Sequence, residues 1–188
     1  MAKATFIKAA RKDIYVRGKL VELVHEKGKN AGQKYTKRDR TQPEDERDEI
    51  LIHKGESYWT WAFMNQPPHY SKERPRASQL TQSEFLSTYY SIQEEIEDWS
   101  PENPEDVEEF VDIIKGELED LRDETQDRLD NMPEQLQESD SGQLLQERID
   151  ECDNLINELE CIDITPDEED EDWLENVVEE IQSIGFNL

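Results

Sequence analysis

From Phe85 onward the apolar residues keep one spacing, and that spacing constrains the fold more than any other feature of the chain. Phe85, Tyr89, Ile92, Ile96 and Trp99 step by 4, 3, 4 and 3. Val107, Val111, Ile114, Leu118 and Leu121 repeat those steps, and so do Leu145, Ile149, Cys152, Ile156 and Leu159. A 3.5-residue period puts one apolar stripe on each helix and requires a facing stripe to cover it. Trp173, Leu174, Val177, Val178, Ile181 and Ile184 form a fourth helical segment with a looser pattern. Helices are therefore predicted near 82–99, 104–130, 142–161 and 166–184.

End signals agree with these spans. Thr81 with Glu84, and Thr165 with Glu168, have capping-box spacing. Pro101, Pro104 and Pro166 follow Ser100, Asn103 and Thr165, placing proline where a first turn tolerates it. Met132 precedes Pro133, which should stop the second helix. The second and third helices are expected to form an antiparallel hairpin across residues 131–141.

Charge divides the chain sharply. Of the formal −27, residues 1–40 hold 12 Lys and Arg against 4 Asp and Glu, and residues 81–188 hold 4 against 37. The 81–188 excess is a statement about partners more than about fold. Off the apolar stripes lie Glu94, Glu95, Glu97 and Asp98, then Glu108, Glu109 and Asp112. Glu117, Glu119, Asp120, Asp123 and Glu124 continue the series, and Glu168, Glu169, Asp170, Glu171 and Asp172 lie in the run "DEEDED". Acids in a first helical turn favour the helix dipole, which explains only part of that run. Few Lys or Arg stand four residues on to pair with the rest.

Density sharpens the point. With 37 acids over these 108 residues and about 1.5 Å of rise per residue, each helix carries about one charge per 4.4 Å. Two helices side by side present about one per 2.2 Å, against about one per 1.7 Å of duplex DNA. An acidic face of this kind is expected to meet a basic protein surface, and competing with DNA for a basic cleft follows from the same density. The bland alternative is a solvated face that keeps the protein soluble.

Before Thr81 the period changes. "IYV" (14–16) and "KLVELV" (19–24) around Arg17 and Gly18 read as a hairpin, and so do "ILIH" (50–53) and "SYWTWAF" (57–63). The polar stretch 26–48 reads as a long exposed loop, and residues 64–76 as a turn followed by an extended segment. The predicted class is α+β: a small basic β-hairpin module over 1–80, then an acidic, mainly antiparallel helical module over 81–188. In a strand, Trp59, Trp61 and Phe63 share one face and are needed as core. Tyr58 then points the other way, and with Tyr70, Lys72, Arg74 and Arg76 it forms a candidate basic and aromatic contact of the kind that holds single-stranded nucleic acid.

Catalytic and metal chemistry are not expected. His25, His53 and His69 stand far apart, and none lies at metal-ligand spacing from Cys152 or Cys161. The acidic run lacks the glycine and spacing of a calcium loop, and there is no phosphate loop or nucleophile elbow. The expectation is a protein that is not an enzyme and has no cofactor. No apolar run approaches a membrane span, and the opening residues lack a secretory pattern. Two unpaired thiols nine positions apart fit a reducing cytoplasm.

The strings "ARKD", "KGESYWTWAF", "YSK", "RASQLTQSEF", "NMPEQLQ" and "GQLLQERID" resemble a group of proteins encoded by phages and bacterial mobile elements, to which no activity is attached. The resemblance implies a context, a small protein made in the cytoplasm of a bacterial host, and carries over no functional residue. Where the group has a more basic "YWWKF"-like strand, this chain has Thr60 and Ala62, which weakens nucleic-acid contact through that strand. The favoured expectation is a non-enzymatic interaction protein whose acidic helices bind a basic, nucleic-acid-binding surface of a host or defence protein. Alternatives are a nucleic-acid-binding accessory protein using residues 1–80, an N-terminal segment that masks the acidic helices, and an assembly component that self-associates as a dimer.

Overall fold

A computed structural model describes residues 1–25, 32–64, 66–166 and 172–188. The fold is α+β, with small antiparallel sheets followed, among the described residues, by five α-helices. The chain divides into two compact units, Met1–Gln82 and Ser83–Leu188.

The first unit contains β1 (Thr5–Ile7), β2 (Ile14–Tyr15), β3 (Lys19–Val24), β4 (Lys34–Asp39), β5 (Ile50–Ile52), β6 (Tyr58–Trp61) and β7 (His69–Ser71). β6 is the middle strand of a three-stranded antiparallel sheet, between β1 and β7. β2 pairs with β5, and β3 pairs with β4.

These pairings correct both expected hairpins. β2 does not pair with β3, because the three-residue link between β2 and β3 is held by a third segment. The Arg17 and Gly18 N–H groups both donate to the Asp48 carboxylate, at 2.9 and 2.7 Å. Gly18 sits at φ +69°, and a Cβ there would lie 2.5 Å from the Arg40 Cα. The second link does turn, with Glu56 N–H donating to the His53 carbonyl at 3.0 Å. Its outer groups then bond elsewhere: Gly55 N–H donates to the Ala10 carbonyl and Ala10 N–H to the Glu56 carbonyl, both at 2.8 Å. The ladder is thereby diverted to β2 and β1.

The 26–48 stretch is corrected as well. Residues 26–31 lie outside the described residues, but residues 34–39 are a full-length partner for β3, from Val24 opposite Lys34 to Lys19 opposite Asp39. Its sequence, "KYTKRD", lacks apolar alternation because both faces of the ribbon are largely open to solvent.

The core of this unit is small: Ala10, Ile14 and Ile52, with Leu51, Tyr58 and Tyr70 packed against it. The tyrosine face of β6 therefore points inward. On the opposite face Trp61 is buried, whereas Trp59 is half-buried and leans on Phe6, itself 47% exposed.

The second unit contains α1 (Glu84–Asp98), α2 (Glu105–Asp130), α3 (Glu134–Gln137), α4 (Asp140–Cys161) and α5 (Trp173–Gln182). The cap of α1 is Ser83, whose Oγ accepts the Leu86 N–H at 3.4 Å, in place of the expected Thr81. Pro104, rather than Asn103, occupies the cap position of α2. Residues 167–171, where the fourth helix was expected to begin, lie outside the described residues, and α5 starts at Trp173.

Apolar stripes face inward. Phe85, Tyr89, Ile92 and Ile96 of α1, Val107, Val111, Ile114, Leu118 and Leu121 of α2, and Ile149, Cys152, Leu155, Ile156 and Leu159 of α4 are all buried. α2 and α4 are the most extensively packed pair. Lys115 of α2 bonds Glu160 of α4, and Arg122 of α2 bonds Asp153 of α4, so the two run antiparallel. The end of the chain is tied down by polar bonds. Tyr89 donates its hydroxyl to Glu151 Oε1 at 2.6 Å, and Asn187 N–H donates to the same oxygen at 2.8 Å. The side-chain amide of Gln182 on α5 donates to the Ile96, Glu97 and Trp99 carbonyls that end α1, at 3.3, 3.3 and 3.0 Å.

The connection from α3 into α4 depends on a missing side chain. A Cβ on the buried Gly142 would lie 2.0 Å from the Gln137 carbonyl oxygen, a backbone atom. Gly116, inside α2, would meet nothing within 4 Å. Gly142→Ala is therefore expected to lower unfolding free energy by about 2–4 kcal/mol, through overpacking against backbone. Gly116→Ala should raise it by about 0.5–1 kcal/mol, through helix propensity. Urea unfolding of the full chain followed by far-UV circular dichroism measures both, and equal effects would show that the α3–α4 approach is looser than described.

Candidate acidic interface

Only four cations, Lys115, Arg122, Arg128 and Arg148, stand among the 37 acids of the second unit. Each is used where two helices meet. Lys115 reaches Glu160 on α4 at 2.8 Å. Arg122 bridges Asp153 on α4 at 3.2 Å and its neighbour Asp123 at 2.9 Å. Arg128 reaches Glu84 on α1 at 2.9 Å. Arg148 of α4 lies over the ring of Phe85 on α1, 4.7 Å from its centroid. Positive charge in this unit is thus concentrated along the helix junctions.

The outer faces of α1 and α2 carry the acids. Glu95, Glu97, Asp98, Glu108, Glu109, Asp112, Glu119, Asp120 and Asp123 are exposed, and Glu94 is half-buried. Asp123 is partly neutralised by Arg122, and Glu124 lies 3.8 Å from Arg128. Asp172 is exposed at the start of α5. Glu168, Glu169, Asp170 and Glu171 lie outside the described residues.

Two concave sites gather several of these acids. Between α1 and α2, a groove of about 470 Å³ has Ser87, Thr88 and Ser91 on one wall and Glu95, Glu117, Asp120 and Glu124 around it. Along α2, a shallower hollow of about 490 Å³ is lined by Glu105, Glu108, Glu109, Asp112 and the exposed Ile113. The first groove is electrostatically crowded. Loss of solvent, followed by the nearby Glu95 and Asp120, raises the Glu117 carboxyl above its ordinary value of 4.5. Such a groove can accept cationic or hydrogen-bond-donating groups: carboxylates supply charge, and the hydroxyls supply neutral acceptors.

Sequence spacing identified the acids but not this grouping. Glu95 on α1 meets Glu117 and Asp120 on α2 only because the two helices pack through their stripes, and the Ser87, Thr88 and Ser91 wall carries no charge signal at all.

The candidate contact in the first unit is rearranged. Tyr58 and Tyr70 pack together with ring centroids 6.0 Å apart and cover the small core. Burial and the neighbouring Tyr58 raise the Tyr70 hydroxyl above its ordinary range. Lys72 pairs with Glu56 at 3.1 Å, and Arg74 lies over the Trp59 ring at 5.9 Å. Arg76 is exposed, and its backbone N–H donates to Gln79 Oε1. The five residues therefore do not converge on one outward surface; among the described residues of this unit, Phe6 and Tyr35 carry exposed rings.

Cys152 is buried, which pushes its thiol up to about 12, and Cys161 is exposed. Among the described residues no group of His, Cys, Asp and Glu is arranged to hold a metal ion, and no helix is long and apolar enough to cross a membrane. No protein family, curated protein or solved structure matches the chain.

The crowding at Glu117 has a sign that can be checked. Because its folded carboxyl is raised, the stability it contributes is fully present below the unfolded value and is lost as pH rises through the folded one. Glu117→Gln should therefore raise the thermal midpoint at neutral pH, and the gain should vanish on titration below the ordinary glutamate range. Glu119→Gln, outside the groove, should give a smaller shift. Differential scanning calorimetry from about pH 3 to 7 would show the contrast, whose charge-repulsion part should shrink at high salt.

Proposed function

We propose that this is a non-enzymatic interaction protein whose acidic helical unit, packed through coiled-coil-like stripes, binds the basic, nucleic-acid-binding surface of another protein. One observation carries the reading. All four cations of the unit are engaged at helix junctions, so the outward charge is set by carboxylates held at fixed spacing. That arrangement supports a DNA-like charge surface, since duplex DNA presents phosphates at comparable density. The resemblance to proteins of phages and mobile elements favours a host or defence protein, in a bacterial cytoplasm, as the partner.

Recognition would combine long-range attraction with local fit. The field of the unit steers a basic partner into contact, giving fast association that weakens steeply with salt. The α1–α2 groove then takes individual arginine or lysine groups between Glu95, Glu117, Asp120 and Glu124.

The full chain, immobilised and exposed to bacterial lysate at about 50 mM salt, where such contacts are strong, is expected to retain basic nucleic-acid-handling proteins. Duplex DNA should displace them. The variant Glu95→Gln, Glu117→Gln, Asp120→Asn, Glu124→Gln should weaken capture of those proteins at least tenfold while remaining folded. Recovery of no basic protein at low salt, or equal capture by the variant, would remove this reading.

A further inference from the structure

A second concave site lies in the first unit and has the opposite sign. Arg17, Arg38 and Arg40 face a cavity of about 390 Å³, whose other side is formed by Pro67, Pro68 and His69. Val16 and a single acid, Glu44, complete its rim. The volume falls at the lower end of the range for small-molecule sites.

What distinguishes this cavity from a merely basic surface is the way its guanidinium groups are fixed. Arg40 donates from Nε to the Tyr15 carbonyl at 3.0 Å and from its fork to the Val16 carbonyl. Its guanidinium carbon also lies 5.5 Å from the centroid of the Tyr70 ring. Arg38 donates from Nη1 to the Arg17 and Gly18 carbonyls, both at 3.1 Å. Two of the five N–H groups of each fork are accounted for in this way. The remaining edges are held in place with much of their rotamer entropy already lost. Glu44 approaches Arg38 at 3.6 Å, a loose contact, so the rim keeps more positive than negative groups.

His69 stacks on the buried Trp61 with centroids 5.3 Å apart and planes 13° apart, and Phe63 meets its edge at 5.7 Å. A stacked ring beside two prolines offers an apolar face to a planar group, while the arginines opposite offer paired donors. Arginine forks match phosphate oxygens bidentately, which a lysine point charge does not.

We propose that this cavity is an anion site that takes a phosphate group between Arg17, Arg38 and Arg40, with an attached base or sugar against His69 and the two prolines. The phosphate can belong to a free nucleotide or to a single-stranded nucleic acid, since both present the same chemistry to the forks. This site is independent of the acidic helices and does not rest on their proposed role.

The full chain has three histidines, so its imidazole ¹H–¹³C signals are few enough to follow individually. Titration with adenosine 5′-monophosphate at low salt should shift the His69 signals saturably and leave those of His53 in place. Adenosine alone should do neither. Inorganic phosphate should compete with the nucleotide. A short single-stranded oligonucleotide that shifts His69 when mononucleotide does not would assign the phosphate to a nucleic-acid backbone; the reverse would assign it to a free nucleotide.

Arg40 and Arg38 brace the backbone, so the variant of choice is Arg17→Gln, which leaves the main-chain bond to Asp48 intact. It should weaken binding at least fivefold with an unchanged thermal midpoint, and Arg17→Lys should recover only part of the loss. Lys72→Gln, which removes an equal charge outside the cavity, should leave affinity unchanged. Absence of any saturable His69 shift with every phosphate probe would overturn the proposal. So would adenosine binding as well as its monophosphate, or equal losses in Arg17→Gln and Lys72→Gln.

Discussion

The structure of the second unit depends on where four positive charges are placed. A helical assembly with 37 acids and 4 bases cannot neutralise itself, so the location of each base matters more than the number. Lys115, Arg122, Arg128 and Arg148 all lie between helices, bridging α2 to α4, α2 to α1 and α4 to α1. There they offset repulsion where acidic helices must approach most closely. Their stems also cover apolar surface, as Arg148 does over Phe85. Had they been spread over the outer faces in i,i+4 pairs, each would have contributed only a few tenths of a kcal/mol.

The apolar stripes make this tolerable. A like-charge pair on an exposed helix face costs a few tenths of a kcal/mol, whereas burying one leucine or isoleucine contributes about 1.5–3 kcal/mol. Ile114 and Leu118 of α2, with Leu155 and Leu159 of α4, are almost wholly withdrawn from water.

 The stripes hold the helices together, and the outer faces are left to carry repulsion.

Much of this was legible in the residues, and the losses have physical causes. The 4-3-4-3 spacing located α1, α2 and α4 because a helix covered on one side leaves a strong periodic signature. The first unit was harder to read. Pairing adjacent segments is the natural inference from a glycine in a short link, but Asp48 captures the two N–H groups at Arg17 and Gly18, and Ala10 captures the turn at Gly55. Both are contacts distant in sequence. β4 was missed because a ribbon open on both faces has no reason to alternate apolar and polar residues. The inward turn of Tyr58 and Tyr70 was missed for a related reason: the core they cover is built from Ala10, Ile14 and Ile52, which lie on three separate stretches of chain. The acidic groove was only half visible, since its carboxylates stand out by charge while its hydroxyl wall and the meeting of α1 with α2 do not.

In the proposed role, the acidic unit does more than keep the protein in solution. An extended tail with the same number of carboxylates would keep the protein in solution, and its charges would relax away from one another. Mounting them on packed helices prevents that relaxation, and at Glu117 loss of solvent, followed by the nearby Glu95 and Asp120, raises the carboxyl. What rigid mounting adds is geometry: Glu95, Glu117, Asp120 and Glu124 stay around one groove, at separations set by helix pitch and not by chance encounters. A partner with cations at matching positions meets acceptors that are already ordered, and binding then loses less conformational entropy than it would on a flexible acidic chain. On the proposed function, fixed spacing maintained against repulsion is what distinguishes this face, as a recognition surface, from a solubilising one.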